Sequence, residues 1–334
     1  MSGAVQEAAA IDAGAGRDPA PAGPSIGVDL GGTKIAGTVL VEAVPGAPPE
    51  VLTLRRIPTP REGGYEAILE TTAGFVEEIA REVGLDPRRA PIGVGMPGGV
   101  TRAGLVKNAN TVCLNGRPFR ADLEARLGRR IAFDNDANCF ALAETRLGAA
   151  APYRDGLVFG VILGTGVGGG VVVRGEVWPG AQGIAGEWGH HAVYFDRSGG
   201  AGETCYCGKR GCMELFASGP AVEADYARRA GATLPLAEIA RRVGEDPHAR
   251  GAIEALVDAF GRGLANVIDI LDPAAIVLGG GLSHLDILYT EGRARVARYV
   301  FNDELATPIL RNALGDSSGV FGAALLPDRA PRGR

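Results

Sequence analysis

The chain has no run of lysine or arginine, and its 34 basic residues are outnumbered by 39 acidic ones, for a net charge of −5. General binders of nucleic acid or anionic membranes need a basic footprint, so neither partner is expected. No apolar stretch reaches the roughly 18–20 residues of a membrane-spanning helix. Residues 1–24 are mostly Ala, Gly and Pro. They lack the basic start and apolar block of a secretory signal, which leaves a disordered leader and a cytoplasmic location as the expectation. The motif GxxxxGK[ST] is absent, and that excludes a P-loop. A disulfide scaffold is not expected from five cysteines, an odd number, in a reducing compartment.

Hydrophobic residues make up 46% of the sequence and charged residues 22%, a globular composition. A length of 334 residues suits two domains. Glycine is abundant at 52, much of it in short clusters where backbone can approach a ligand closely. Ile26–Leu30 and Ile35–Val41 are β-prone runs joined by Gly31-Gly32-Thr33-Lys34, with Val51–Ile57 as a third strand. Helical spacing follows over Tyr65–Val83, then a strand at Ile92–Met96, a helix at Ala121–Leu127, a strand at Ile131–Phe133 and a helix at Ala137–Leu147. A second cycle opens with Leu157–Leu163, a glycine turn and a returning strand Gly170–Arg174. Helices are expected at Ala221–Arg229, Leu236–Val243, Gly251–Leu271, Leu285–Val300 and Val320–Leu326, with strands at Ala275–Leu278 and Ile309–Arg311. The duplicated plan predicts two α/β lobes, 25–148 and 149–334, with a cleft between them and the final helix packing back on the first lobe.

Three glycine clusters are candidate nucleotide contacts. In Asp29-Leu-Gly-Gly-Thr-Lys34 the glycines, Gly31 and Gly32, let backbone N–H groups face a phosphate. Thr33 and Lys34 can donate to it, and Asp29 can hold magnesium through water. A structural β-turn with a chance acid beside it is the competing reading. Gly164-Thr165-Gly166-Val-Gly168-Gly-Gly170 matches GxGxxG formally, but a strand follows it where a dinucleotide fingerprint requires a helix. It reads as a second hairpin turn, and two such turns across a cleft form a clamp on a nucleoside triphosphate. Gly279-Gly280-Gly281 follows a strand and precedes a helix, a place where adenosine can lie on bare backbone.

Phe133-Asp134-Asn135-Asp136-Ala137-Asn138 sits at a strand end, where α/β folds place catalytic groups and where Asp and Asn also serve as helix caps. One carboxylate there can take a proton from a sugar hydroxyl during phosphoryl transfer. Asp136 is the candidate, with Asn135 and Asn138 fixing substrate or backbone, although the run alone does not separate Asp136 from Asp134. Cys205, Cys207 and Cys212 are spaced C-x-C-x4-C, and His190 lies 15 residues upstream of the first. Three Cys and one His make a closed, structural zinc site, with His191 as a rival ligand. Cys113 and Cys139 read as buried small hydrophobes. Glu187 and Glu214 flank the loop and can accept hydrogen bonds from vicinal sugar hydroxyls.

The ordered motifs DLGGTK (29–34), GMPG (95–98), NDAN (135–138), GTGVGGG (164–170), GEWGH (186–190) and CYCGKRGC (205–212) resemble the ROK family of bacterial sugar kinases and regulators, over about Ile26 to Leu326. The resemblance implies a two-lobed, actin-like, hexokinase-type ATPase fold, with ATP and magnesium in the interlobe cleft and a sugar as substrate. It places the catalytic aspartate at Asp136 and the zinc ligands at His190, Cys205, Cys207 and Cys212. Sugar contacts fall at Gly98, Asn110, Asn135, Asp136, Glu187, His190 and Glu214, so that His190 holds zinc with one ring nitrogen and sugar with the other. A homodimer is also implied. Within the family, NANTVCLNG (108–116) and the tail Asp316–Ala323 look most like the fructokinase and mannokinase branch, which implies ATP-dependent formation of fructose 6-phosphate. The N-acetylglucosamine kinase branch shares NDANCFAL, and mannose or glucose are further candidates. A sugar-responsive transcriptional regulator of the same family would need a helix-turn-helix with a basic face, for which the Gly/Pro-broken residues 1–24 are unsuited.

Overall fold

A computed structural model describes residues 23–41, 49–193 and 204–328; most of the expected leader lies outside these residues. The first half begins with β1 (Ser25–Leu30), β2 (Lys34–Val41) and β3 (Glu50–Pro58), followed by helix α1 (Gly64–Glu82) and β4 (Ile92–Met96). A small hairpin of β5 (Gly99–Val100) and β6 (Val106–Lys107) precedes α2 (Phe119–Leu127), β7 (Ala132–Asn135) and α3 (Asp136–Arg146). The second half repeats the plan with β8 (Leu157–Leu163), β9 (Val167–Val173) and β10 (Glu176–Val177). Helices α4 (Glu214–Ala217), α5 (Gly219–Ala230), α6 (Leu236–Arg241) and α7 (Pro247–Leu271) lead to β11 (Ala275–Gly279), α8 (Glu291–Tyr299), β12 (Ile309–Arg311) and α9 (Ser318–Leu325).

The two sheets have the same order, β3-β2-β1-β4-β7 and β10-β9-β8-β11-β12. In each, a three-stranded antiparallel meander is extended by two parallel strands. Parallel pairing requires crossovers, which the intervening helices supply. Strand β4 and strand β11 are buried along their whole length, as central strands covered on both faces should be.

The halves interlock by exchanging helices. A side chain at Gly27 or Gly93, on β1 and β4, would strike the backbone of α9, and one at Gly160 or Gly170, on β8 and β9, would strike α3. Helix α9 in turn lies on α3 so closely that Gly322 has no room for a Cβ against the Cys139 backbone. Glycine and alanine at these crossings let helix and sheet approach closely, and a third apolar cluster, including Cys139, Phe140, Val277, Val320 and Leu325, fills the junction.

Two elements differ from expectation. The expected helix Leu285–Val300 is instead a pair of 3-10 turns, Gly281–His284 and Asp286–Leu288, followed by α8 from Glu291. The Leu288 and Tyr289 N–H groups donate three residues back, to Leu285 and Asp286, and Thr290 Oγ1 donates to the Asp286 and Ile287 carbonyls, acceptors that a helix from Leu285 would use. Strand β9 begins at Val167 rather than Gly170 because the glycines at 168–170 pair along β8.

Candidate active site

The β7–α3 junction sorts its polar residues by their partners. Asn135 is the N-cap of α3: its Oδ1 accepts from the Ala137 N–H at 2.8 Å, and its Nδ2 donates to the Gly98 carbonyl at 2.7 Å. Asp134 Oδ1 accepts from the Asn135 N–H at 2.8 Å and from Asn138 Nδ2 at 2.7 Å, which ties it to the junction itself. Asp136 Oδ1 accepts from the Ala137 N–H at 2.8 Å. The Asn135 side chain is a further hydrogen-bond partner of this carboxylate, and the charges of Asp136 and Asp29 act on each other. Burial pushes the Asp136 carboxyl above the usual carboxylate range; the Ala137 N–H opposes the shift and the charge of Glu187 adds to it.

The first glycine turn follows β1. Gly31 N–H donates to the Lys34 carbonyl at 3.0 Å, and buried Thr59 braces the turn from β3, donating through Oγ1 to the Gly31 carbonyl at 2.8 Å and through N–H to the Thr33 carbonyl at 3.0 Å. Burial pushes Asp29 up to about 7, the charge of Asp136 adds to this, and Lys34 and Arg56 pull it down. Asp29 and Asp136 therefore share one electrostatic site. Lys34 and Thr33 are exposed at the turn. Asn110 is also near: a Cβ on Gly32 would lie 3.3 Å from its Oδ1. The segment carrying Asn110 is held by Asn115, whose Oδ1 accepts from the Ala109 N–H at 2.9 Å and whose Nδ2 donates to the Ala109 carbonyl at 3.0 Å.

In the second turn Gly164 N–H donates to the Gly166 carbonyl at 2.9 Å, with Thr165 exposed at the apex. Glu214 Oε2 accepts from the Val167 N–H at 3.0 Å and lies where a side chain at Gly166 would stand. The Gly164 carbonyl accepts from the Gly219 N–H at 2.8 Å, and Gly281 N lies 3.9 Å from where a Gly164 Cβ would stand. Gly280 has φ of 79°, and a Cβ there would meet the Leu163 carbonyl, so glycine is required. Gly279 ends β11 against the Phe140 ring. The glycine clusters at 164–166 and 279–281 thus converge. Gly168 is a correction: it lies inside β9 against Ala137, away from the turn.

His190, Cys205, Cys207 and Cys212 come together, one donor atom from each within 4.8 Å of the others. His190 Nδ1 is 3.6 Å from Cys205 Sγ, and Cys207 Sγ is 3.6 Å from Cys212 Sγ. A tetrahedral zinc with bonds of about 2.0–2.3 Å would separate its ligands by roughly this much, so the donor set fits a closed zinc site. His191 turns away: it packs edge-on against Trp188 at 6.2 Å, and burial lowers its pKa. The expected second role of His190 meets an obstacle. Its Nε2 lies 2.9 Å from the Tyr206 hydroxyl rather than open to a sugar.

A cavity of about 260 Å³ opens in the cleft; its polar lining is Asp134, Asn135, Asn138 and Glu187, with Gly98 beside them, and Asp136 borders it without lining it. Its other walls include Met96, Val100, Phe133, Pro179 and Ala185. Thr59, Asn115 and Gly219 support the expected site without having been singled out. Asn115-Gly116 carried the signal of a turn dipeptide; Thr59 and Gly219 carried none, since their partners are set by tertiary pairing.

The sequence model of the ROK family matches residues 25–330. An N-acetyl-D-glucosamine kinase of Photobacterium profundum is 37% identical over 312 residues, covering 90% of this chain and 98% of that one. Among solved structures, a ROK hexokinase from Thermus thermophilus is similar with TM-score 0.78 and 34% identity, over 91% of this chain and 97% of its own. A ROK family glucokinase from Streptomyces griseus, in complex with glucose and AMPPNP, gives TM-score 0.73 and 29% identity over 92% and 100%. The fold is accordingly the actin-like, hexokinase-type one. These likenesses run through both halves and the cleft between them, and the chain belongs to the ROK family and is a sugar kinase.

Proposed function

We propose that the protein transfers the γ-phosphoryl group of ATP to the 6-hydroxyl of N-acetylglucosamine, with Asp136 as the general base. The observation that carries the catalytic assignment is the place of Asp136 between the first glycine turn and the cavity wall: its charge acts on Asp29 and that of Glu187 acts on it, whereas Asp134 is engaged by the Asn135 N–H and the Asn138 amide. A carboxylate with a raised pKa is a better base than an ordinary one, because its proton affinity lies nearer the operating pH. Asp136 takes the hydroxyl proton as that oxygen attacks the γ-phosphorus, and ADP leaves on the opposite side. Magnesium, held through water near Asp29, would neutralise the phosphate charge. Gly31, Gly32, Thr33, Lys34, Gly164, Thr165 and Gly166 position the phosphates, and Gly279, Gly280 and Gly281 lie under the adenosine.

Gly98, Asn110, Asn135, Glu187 and Glu214 are assigned to the sugar, together with the region of His190. Asn135 is held by capping α3, by its bond to the Gly98 carbonyl and by the Asp136 carboxylate, which fixes the wall of the sugar site before substrate arrives. Glu214 joins the sugar end to the second turn through the Val167 N–H, which fixes its orientation before substrate arrives. Zinc on His190, Cys205, Cys207 and Cys212 would have a structural role, fixing the loop that carries these groups.

The fructose expectation gains no support from the relatives, since the similar chain from Photobacterium profundum is named an N-acetyl-D-glucosamine kinase. The cavity agrees with the alternative. Its polar groups are accompanied by Met96, Val100, Phe133, Pro179 and Ala185, an apolar wall suited to an acetamido methyl group that fructose lacks. The test is a panel of N-acetylglucosamine, glucose, mannose and fructose compared by kcat/KM with ATP. N-acetylglucosamine is expected to exceed fructose by about tenfold or more, the discrimination that one buried apolar group gives. Equal or better use of fructose would reverse the assignment.

A further inference from the structure

A second cavity, of about 590 Å³, lies at the N-terminal ends of β4 and β7, closed by the turn Leu326–Asp328 that follows α9. The first glycine turn and the sugar cavity take the opposite ends of this sheet, and the two cavities have only Phe133 in common. Phe133, Leu326 and Pro327 are among its apolar walls. Its charged side chains are three arginines, Arg120, Arg129 and Arg130, and among the described residues no acid or amide lines it. The volume is that of a small-molecule site, and the concentration of positive charge occurs in a chain whose net charge is −5.

The three guanidinium groups differ in what already holds them. Arg120 is paired on α2, its Nε donating to Glu124 Oε1 at 3.3 Å and its Nη2 to the Ile131 carbonyl at 3.3 Å. Arg129 is half-buried and held by carbonyl groups instead. Its Nε donates to the Arg130 carbonyl at 3.3 Å and its Nη1 to the carbonyls of Pro87 and Ala90, which leaves both hydrogens of Nη2 for a ligand. None of these carbonyls belongs to α2, so the side chain does not serve as the C-terminal cap of that helix. Arg130 is exposed, and its side chain makes no ion pair among the described residues. A half-buried guanidinium with carbonyl partners keeps its full charge while losing part of its hydration, a cost that a bound anion offsets.

We propose that this cavity is a second ligand site, for a small organic phosphate with a flat, apolar body. Arg129 and Arg130 hold the phosphate, since the guanidinium fork matches its oxygens two at a time. Phe133, Leu326 and Pro327 cover the body. A free sugar does not suit the cavity, because its hydroxyls need acceptors that the lining side chains do not supply. The site is independent of the sugar-kinase reading of the cleft.

The experiment measures binding of phenyl phosphate to the full-length protein by calorimetry, with and without AMPPNP to fill the phosphate site of the cleft. Binding is expected in both conditions. Inorganic phosphate and benzyl alcohol probe the two parts of the ligand separately. Phenyl phosphate should bind about three- to tenfold tighter than inorganic phosphate, because its ring is buried against the apolar walls, and benzyl alcohol should not bind detectably. Arg130→Ala changes an exposed side chain, so it should leave the melting temperature and turnover as they are while weakening phenyl phosphate about tenfold, the loss of one charged hydrogen-bond donor. Arg129→Lys keeps the charge but not the fork, and is expected to weaken it as well. The proposal is overturned if phenyl phosphate does not bind saturably at millimolar concentration, if AMPPNP abolishes its binding, if inorganic phosphate binds as tightly, or if Arg130→Ala leaves its affinity unchanged.

Discussion

Asp29 and Asp136 come from opposite ends of the first half of the chain, and the charge of Asp136 raises Asp29. Without magnesium, a carboxyl pushed from 3.8 to about 7 destabilises the fold. The folded state binds the proton more tightly than the unfolded one, so stability falls as pH rises from 3.8 toward 7 and is level above it. Asp29→Asn removes that penalty. The ligand-free variant should melt several degrees above wild type at pH 8 and at the same temperature near pH 4 in thermal unfolding. Equal melting at pH 8 would show that the burial of Asp29 costs nothing. Much at this scale was legible: DLGGTK and NDAN named the turn and the strand-end acids. The choice between Asp134 and Asp136 was not, because it depends on the Asn138 amide and the Asn135 N–H engaging one of them.

At the scale of elements, glycine performs two separable tasks. Gly31, Gly32, Gly164 and Gly166 form turns, whereas Gly168, Gly170, Gly160, Gly27, Gly93 and Gly322 let helices cross sheets and each other. Both kinds look alike in a sequence, and for that reason Gly168 was expected in the turn. The crossing of α3 and α9 is locked by Glu144, which is fully buried on α3. Its carboxylate accepts from the N–H groups of Ala149, Ala313 and Leu314, each at 3.0 Å, and from Ser318 Oγ at 2.8 Å. These four donors come from the link between the halves and from the approach to α9. Removing the acceptor strands several buried N–H groups at about 1–3 kcal/mol each. Glu144→Ala should therefore lower stability by roughly 3–5 kcal/mol in urea unfolding, with Glu144→Gln less affected. A loss under about 1 kcal/mol would mean that water replaces the carboxylate. The misjudged helix at Leu285–Val300 has the opposite lesson: its apolar spacing is helical, but Thr290 Oγ1 takes the Asp286 and Ile287 carbonyls that a continuous helix would need.

In the whole molecule, one strand order occurs twice and each half lends a helix to the other. That duplication was legible in the sequence because each half opens with two apolar runs around a glycine turn. The return of α9 to the first half was expected too, whereas the packing of α3 on the second sheet was not, since it is written in small residues rather than in a period. The four-residue cluster joins His190, next to Glu187, to the segment Cys205–Cys212, which leads to Glu214 at the start of α4. Purified protein should carry about one zinc per chain. Cys207→Ser should lose it and melt at a lower temperature, with sugar affinity falling more than affinity for ATP. Retention of full stability and sugar affinity in metal-free protein would contradict the structural role of the cluster.

The central claim is that Asp136 is the general base, and the most direct measurement is turnover of Asp136→Asn in a coupled ADP assay with N-acetylglucosamine. The amide keeps the shape and the Ala137 contact but cannot accept the proton. The account predicts that kcat falls by about 100- to 10,000-fold, the usual contribution of a general base, while sugar affinity by calorimetry stays within a few-fold of wild type. Near-normal turnover in the variant would contradict it.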